Sequence, residues 1–198
     1  MQFQPDEMQA MIRESVAAFT RDHVREQAMA WNEQPGRDEY SDAAARALTK
    51  LGELGLLGVL VPEEAGGAGM GALELAVALE ELAVGDAGLA AAVAMHNAGA
   101  LGWLMRAGDS HKQLIAELAT GAKIGCAGHV SGPTIGAKMA DVLVLPGAPS
   151  QVVDLRADGV VVEPFAMLGL RMGGAARVVF EGAEPEPAAS DDKEQVNG

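Results

Sequence analysis

The sequence predicts an α+β protein. A helical amino-terminal region over residues 1–121 precedes a small antiparallel β-region over residues 122–182, and an acidic tail occupies residues 183–198. Three observations predict this. Apolar residues recur at three- and four-residue steps as far as residue 121, the mark of helices with one buried face. Near residue 122 the pattern changes to short β-favouring runs parted by turn residues. From Ala183 the chain reads AEPEPAASDDKEQVNG, too poor in apolar groups to offset the entropy of ordering it.

The elements follow in order. Met8, Met11, Ile12, Val16 and Phe19 define the apolar face of a first helix, which Pro35 and Gly36 separate from a second. Ser41 is placed to cap that second helix, with Leu48 and Leu51 facing inward. Leu75, Leu79 and Leu82 mark a third, with Glu74, Glu80 and Glu81 turned outward. An alanine-rich fourth follows Asp86, supplying Leu89, Val93 and Leu104 to the expected core. Ser110 with Gln113 reads as a capping box for a fifth, which Gly121 ends. Strands are expected at 124–130, 142–145, 151–155, 160–162 and 177–180, with turns at Pro146-Gly147 and Asp158-Gly159.

Composition narrows the function classes. Fourteen basic and 28 acidic side chains give a net charge of −14, which repels nucleic acid and anionic membrane. A bound phosphate would need local backbone N–H groups or basic side chains such as Lys123, Lys138 and Arg171. A lone cysteine, Cys126, excludes an internal disulfide and a cysteine-based zinc cluster. The amino terminus carries no basic-then-apolar signal, so a cytoplasmic location is expected. Residues 87–105 carry no charge and are long enough to span a bilayer. Their alanine and glycine content, with His96 and Asn97 at the centre, points instead to a helix buried within the helical region.

GAGMGA, residues 67–72, has the spacing of a dinucleotide-binding turn. A dinucleotide unit needs a parallel strand after the helix, and another helix follows here. Glu63 and Glu64 would also repel a pyrophosphate. The glycines therefore serve a tightly folded interhelical loop.

LGELGLLGVLVPEEAGGAGMG resembles the amino-terminal signature of the acyl-CoA dehydrogenases, in which a helix ending in Gly-Leu-Leu-Gly runs through Val-Pro-Glu-Glu into a glycine cluster. Trp31-Asn32 resembles the aromatic-acid pair that follows that family's first long helix, DAGLAAAVAMHNAGA its fourth helix, HKQLIAELATGAKIGCA its fifth helix and entry strand, and MLGLRMGGAARVVFEGAE its last sheet strands. The resemblance runs over about residues 3–183 and is strongest in the first 125. It implies a helical domain, a β-domain and a further four-helix domain. FAD would lie between the last two, with an acyl-CoA thioester against the flavin. It also implies a glutamate base from the last domain and a dimeric or tetrameric assembly.

The sequence departs from that pattern in two places. It ends where the carboxy-terminal helical domain would begin, and that domain would carry the base. CAGHVSGP, residues 126–133, resembles the flavin-contacting strand, with Ser131 and Pro133 matching and Gly132 in place of a glutamate. The family's Trp-Ile-Thr strand aligns with Thr134, Ile135 and Gly136, so its tryptophan is replaced and a hairpin before it is missing. The resemblance thus implies flavin contacts from His129, Val130, Ser131, Ile135 and Gly136, and no catalytic or metal-binding residue.

Other candidates read otherwise. His129 and Ser131 lack an orienting acid for nucleophilic catalysis. His96 is expected to be a hydrogen-bonded core histidine, His23 and His111 surface residues, and Glu63 and Glu64 a solvated loop. Arg171 suits either a phosphate or an internal ion pair. Two functions follow. One is an acyl-CoA dehydrogenase-like flavoprotein component whose site a partner chain of that type completes, in a hetero- or homo-oligomer. The other is a non-catalytic structural or regulatory subunit of such a complex.

Overall fold

The computed structural model describes residues 5–32, 39–129, 132–147, 150–165, 167 and 169–182. The acidic tail, Pro35 and Gly36 lie outside the described residues, as do two residues expected at the site, Val130 and Ser131.

Helix α1, Glu7–His23, starts at a capping box. The Asp6 carboxylate accepts the Gln9 N–H at 2.8 Å, and the Asp6 N–H donates to Gln9 Oε1 at 3.2 Å. Val16 and Phe19 are buried and Ile12 half-buried, as the spacing predicts. Met8 and Met11 instead stand 47% and 56% exposed. The buried stripe runs through Gln9, Val16 and Thr20, so both methionines fall off its edge. Helix α2 spans Arg25–Asn32 and α3 spans Glu39–Glu53. Ser41 lies inside α3 rather than at its cap, while Leu48 and Leu51 face inward as expected.

Helix α4, Ala72–Gly85, lies beside α1 and runs the same way. Gln9 meets Glu74, Arg13 meets Glu80 and Glu81, and Gly85 packs on Thr20 and Val24. Leu75 and Leu82 are buried, whereas Leu79 is half-buried. Asp86 joins two helices. Its N–H donates to Leu82 O at the end of α4, and its carboxylate accepts the Leu89 N–H at 2.8 Å to cap α5, Ala87–Ala94.

The uncharged stretch continues as a π-helical turn, Met95–Leu101, and then α6, Gly102–Arg106. Among the described residues no helix is long and apolar enough to cross a membrane. Helix α7, Lys112–Ala119, follows a short 3₁₀ turn. Its cap position is His111 rather than Ser110, which lies in the 3₁₀ turn one residue earlier. Gly121, at φ +76°, turns the chain out of α7.

The loop between α3 and α4 folds back on itself. Ala68 and Met70 donate to the carbonyls of Gly58 and Val59, and Gly69 to that of Val61. A Cβ at Gly67 would stand 2.2 Å from Val61 O, so this position admits glycine alone without a backbone shift.

Two sheets follow. In the first, β1 (Gly125–Ala127), β2 (Val142–Leu145) and β3 (Gln151–Asp154) lie in that order. Cys126 pairs with Leu143, and Leu143 with Val153. The β1–β2 pairing is parallel, where an antiparallel arrangement was expected. The long connection between them, residues 128–141, allows a parallel return that no tight turn could make. In the second sheet β4 (Val160–Pro164) pairs antiparallel with β5 (Ala176–Phe180).

Alternation along the strands builds three layers. Ala127, Val142, Val144 and Val152 pack on Leu101, Leu104 and Leu118 of the helices. Cys126, Leu143 and Val153 pack on Ala176 and Val178 of the second sheet.

Candidate functional site

The π-helical turn, a form that concentrates at functional sites, packs against β1 and is largely buried. His96 and Asn97 are both fully buried there. Asn97 Oδ1 accepts the Val59 N–H at 3.0 Å, and its Nδ2 donates to Leu56 O at 3.0 Å and Val93 O at 3.2 Å. The amide thus fastens the glycine-rich loop to the helix. His96 faces the other way. Its Nδ1 accepts the Gly125 N–H at 3.0 Å, so Nε2 carries the proton and donates to Leu118 O at 3.1 Å. Burial pushes the His96 pKa down from 6.5 to about 4, so the ring is neutral at physiological pH. The expected core histidine is found, and it links α7 to β1.

Strand β1 rests on this turn without slack. A Cβ at Gly125 would come within 2.9 Å of Ala100 Cβ, and one at Gly99 within 3.0 Å of Ala127 Cβ. The start of β1 is fixed a second time, because Asp141 Oδ2 accepts the Ile124 N–H at 2.8 Å. Asp141 Oδ1 meets Arg156 at 2.5 Å, so this carboxylate is fully engaged.

Beyond β1 the chain reaches the residues singled out in the sequence. Gly128 donates to Val144 O and lies against Thr134, whose Oγ1 would be 2.3 Å from a Cβ there. His129 is exposed, and the space over Gly132 is open, with nothing within 4 Å of a Cβ. Val130 and Ser131 lie outside the described residues. Thr134 then pairs with Ala176 by two backbone bonds of 2.8 and 3.1 Å, adding an edge to the second sheet. Ile135 is half-buried against the helical core. Gly136 is buried at φ +89°, and its N–H donates to Gly173 O at 2.7 Å. The segment therefore divides. His129 is exposed and the space over Gly132 is open, whereas Thr134–Gly136 is packed on Gly173 and Ala176.

The other candidates take ordinary roles. Cys126 is buried, and desolvation pushes its thiol up to about 12, so it is not a nucleophile. Glu63 and Glu64 are exposed; His23 is exposed and lies tilted against Phe19, ring centroids 5.3 Å apart, and His111 is half-buried. Arg171 opens a 3₁₀ turn after Leu170, which sits in the left-handed region at φ +55°. That turn packs on Gly88, where a Cβ would come within 2.7 Å of Leu170 O. A cleft of about 710 Å³ opens elsewhere, between Ala65-Gly66 and Met105, Lys112 and Ile115. Among the described residues no cluster of three histidine, cysteine or acidic side chains could hold a metal.

Sequence reasoning missed the anchoring by Asn97 and the lock at Asp141. The first had a signal, a lone polar pair inside an uncharged helical run. The second had none, since Asp141 is distant in sequence from the amide it binds.

The geometry has counterparts in known proteins. The family model for the acyl-CoA dehydrogenase N-terminal domain matches residues 6–122. The mitochondrial short-chain specific acyl-CoA dehydrogenase of Rattus norvegicus is 42% identical over 79 residues, which are 39% of this chain and 19% of that protein. Glutaryl-CoA dehydrogenase from Mycobacterium smegmatis superposes with a TM-score of 0.75 at 23% identity, covering 90% of this chain and 54% of that one. PigA, solved with FAD and proline, gives 0.74 at 20% identity, covering 96% and 59%. The chain thus spans about a fifth of the curated relative and little over half of the solved chains. The helical match, continued by the same fold through both sheets, settles the family: the chain belongs to the acyl-CoA dehydrogenases.

Proposed function

We propose that this chain is an acyl-CoA dehydrogenase-like flavoprotein component that forms one wall of a flavin site, with a partner chain completing it. The observation that carries the reading is the family match over residues 6–122 running directly into β1 and the open turn at Gly132. The residues fit that limited role. The described residues offer the exposed His129 and the open space over Gly132, with Ile135 and Gly136 as contacts or supports, and the resemblance alone assigns Val130 and Ser131 as contacts. Gly136 supports from beneath, since its N–H is already given to Gly173 O. When bound, FAD supplies the hydride acceptor for α,β-dehydrogenation of an acyl-CoA thioester.

A base within reach of the α-proton is also required, together with hydrogen bonds to the thioester oxygen. Asp141 is engaged by Ile124 and Arg156, and Asp86 caps α5 with a carboxyl that desolvation holds above its usual range. We therefore assign the base to the partner, an acyl-CoA dehydrogenase-type chain. The reading takes residues 1–121 as the helical domain and 122–182 as the β-domain, and places the complex in the cytoplasm, in fatty acid metabolism.

A second reading, a non-catalytic subunit, is favoured by the Thr134–Gly136 segment being zipped onto Gly173 and Ala176. Anaerobic mixing of the chain, FAD and a panel of acyl-CoAs tests the proposal. The expected result is no bleaching of the oxidised flavin band by the chain alone, and bleaching when the co-purified partner is added. Bleaching by the chain alone would overturn the partner assignment. A stable complex that takes up no flavin would establish the second reading.

A further inference from the structure

We propose that His96 is a positioning residue for the flavin-side segment, holding β1 in the register that delivers Gly128, His129 and Gly132 to the cofactor. This rests on the flavin reading above. The argument is one of uninterrupted contact. The ring clamps both ends of the turn between α7 and β1, by way of Leu118 O and Gly125 N–H. It cannot shift sideways, because the adjoining Asn97 is tied to Leu56, Val59 and Val93. From Gly125 onward each junction is closed by a glycine. Gly125 lies on Ala100, Gly99 on Ala127, Gly128 on Thr134, and Gly136 comes within 3.3 Å of Cys126 by the position its Cβ would take. Packed interiors transmit displacement rather than absorb it. A change in the Gly125 bond should therefore move the open turn, although His96 is remote from it in sequence.

The two bonds can be separated by substitution in the full chain. His96→Asn keeps an acceptor near the place of Nδ1, for Gly125. His96→Gln keeps a donor near the place of Nε2, for Leu118, and loses that acceptor. FAD is titrated into each protein together with its co-purified partner by flavin fluorescence, and amide hydrogen exchange is read at Gly128, whose N–H donates to Val144 O.

Wild type and His96→Asn should bind FAD within threefold of each other and protect Gly128 alike. His96→Gln should weaken FAD at least tenfold and speed Gly128 exchange at least tenfold. Val16→Ala, a core change in α1, should leave both readouts within threefold despite its loss of stability. If all three variants move together, or none moves, His96 is ordinary core packing and the proposal fails.

If either histidine variant does not fold, Gly99→Ala tests the same junction, because its Cβ presses on Ala127. It should reproduce the loss of FAD affinity, and unchanged affinity overturns the proposal. If wild type with its co-purified partner takes up no FAD while Gly128 exchange still separates Gln from Asn, the flavin reading falls, and the purpose assigned to His96 falls with it. The exchange data distinguish that outcome from a failure of the positioning itself.

Discussion

The helices and the strands of this molecule are held by different means. The largest fully buried side chains described are Leu48, Leu51, Leu57, Leu82, Leu89, Leu101, Leu104, Leu118, His96, Val16 and Val24 in the first region, and Leu143 alone in the second. The helical region is thus stabilised by transfer of large apolar side chains from water. The β-region has small residues at its contacts, among them Ala127, Ala137, Ala176 and Gly128, and relies on backbone register and close approach. The lesson concerns tolerance. A leucine core loses stability when a side chain is shortened, whereas a glycine-closed sheet loses geometry when one is lengthened.

The largest effect expected on this contrast is in the helices. Leu89→Ala, at a fully buried site in α5, should cost about 2–5 kcal/mol in chemical denaturation. Leu79→Ala, half-buried on α4, should cost about 1 kcal/mol, the size typical of a partly exposed site. Equal losses at the two positions would mean that burial does not rank this core.

Next comes the junction between the regions. The folded-state pKa of His96 is depressed, so the unfolded chain takes up a proton that the native ring resists. Stability contributed by this group is complete above pH 6.5 and is lost progressively as pH falls toward about 4. The loss should total roughly 3 kcal/mol over that window, at about 1.4 kcal/mol per unit. Unfolding free energies measured between pH 7 and 4 check this. The slope should flatten in His96→Asn, and an unchanged slope would assign the acid sensitivity to other groups.

A smaller and opposite kind of change tests the sheet. Gly128→Ala inserts a Cβ 2.3 Å from Thr134 Oγ1 and 3.0 Å from its Cβ. Overpacking of this kind costs about 1–3 kcal/mol. A double variant with Thr134→Ser removes the Thr134 methyl, which lies 2.8 Å from the same point, and should recover part of the loss. No recovery would place the strain elsewhere than at this contact.

Much of the fold was legible because periodicity is local. The five strand runs and the burial of Leu48, Leu51, Leu75, Leu82 and Leu89 follow from spacing alone. The exposure of Met8 and Met11 was not legible, because which part of an apolar stripe faces the core depends on where α4 lies. The parallel β1–β2 pairing was hidden for the same reason, since a strand's own sequence does not name its neighbour. At the candidate site the glycines announced close packing, but only coordinates show what each one meets. The flavin contacts rested on resemblance throughout, and of the five residues so named only His129 is exposed among those described.

The smallest effect sharpens the comparison from the surface. Arg13 on α1 meets Glu80 at 3.0 Å and Glu81 at 3.1 Å on α4, the nearest thing to a charged clasp between two helices. The side chains of Arg13 and Glu80 are 42% and 68% exposed, and that of Glu81 is 22% exposed. Water and salt therefore screen most of the attraction, and holding three long side chains in place opposes it. Exposed ion pairs contribute about 0–1 kcal/mol. Alongside them Gly85 already packs on Thr20 and Val24, which fixes the helix pair by shape. Arg13→Ala should thus cost less than about 1 kcal/mol, and the difference from wild type should shrink between low salt and 1 M salt. A loss of several kcal/mol that salt leaves unchanged would show that charge, not leucine packing, joins α1 to α4, and the division drawn between the two regions would have to be redrawn.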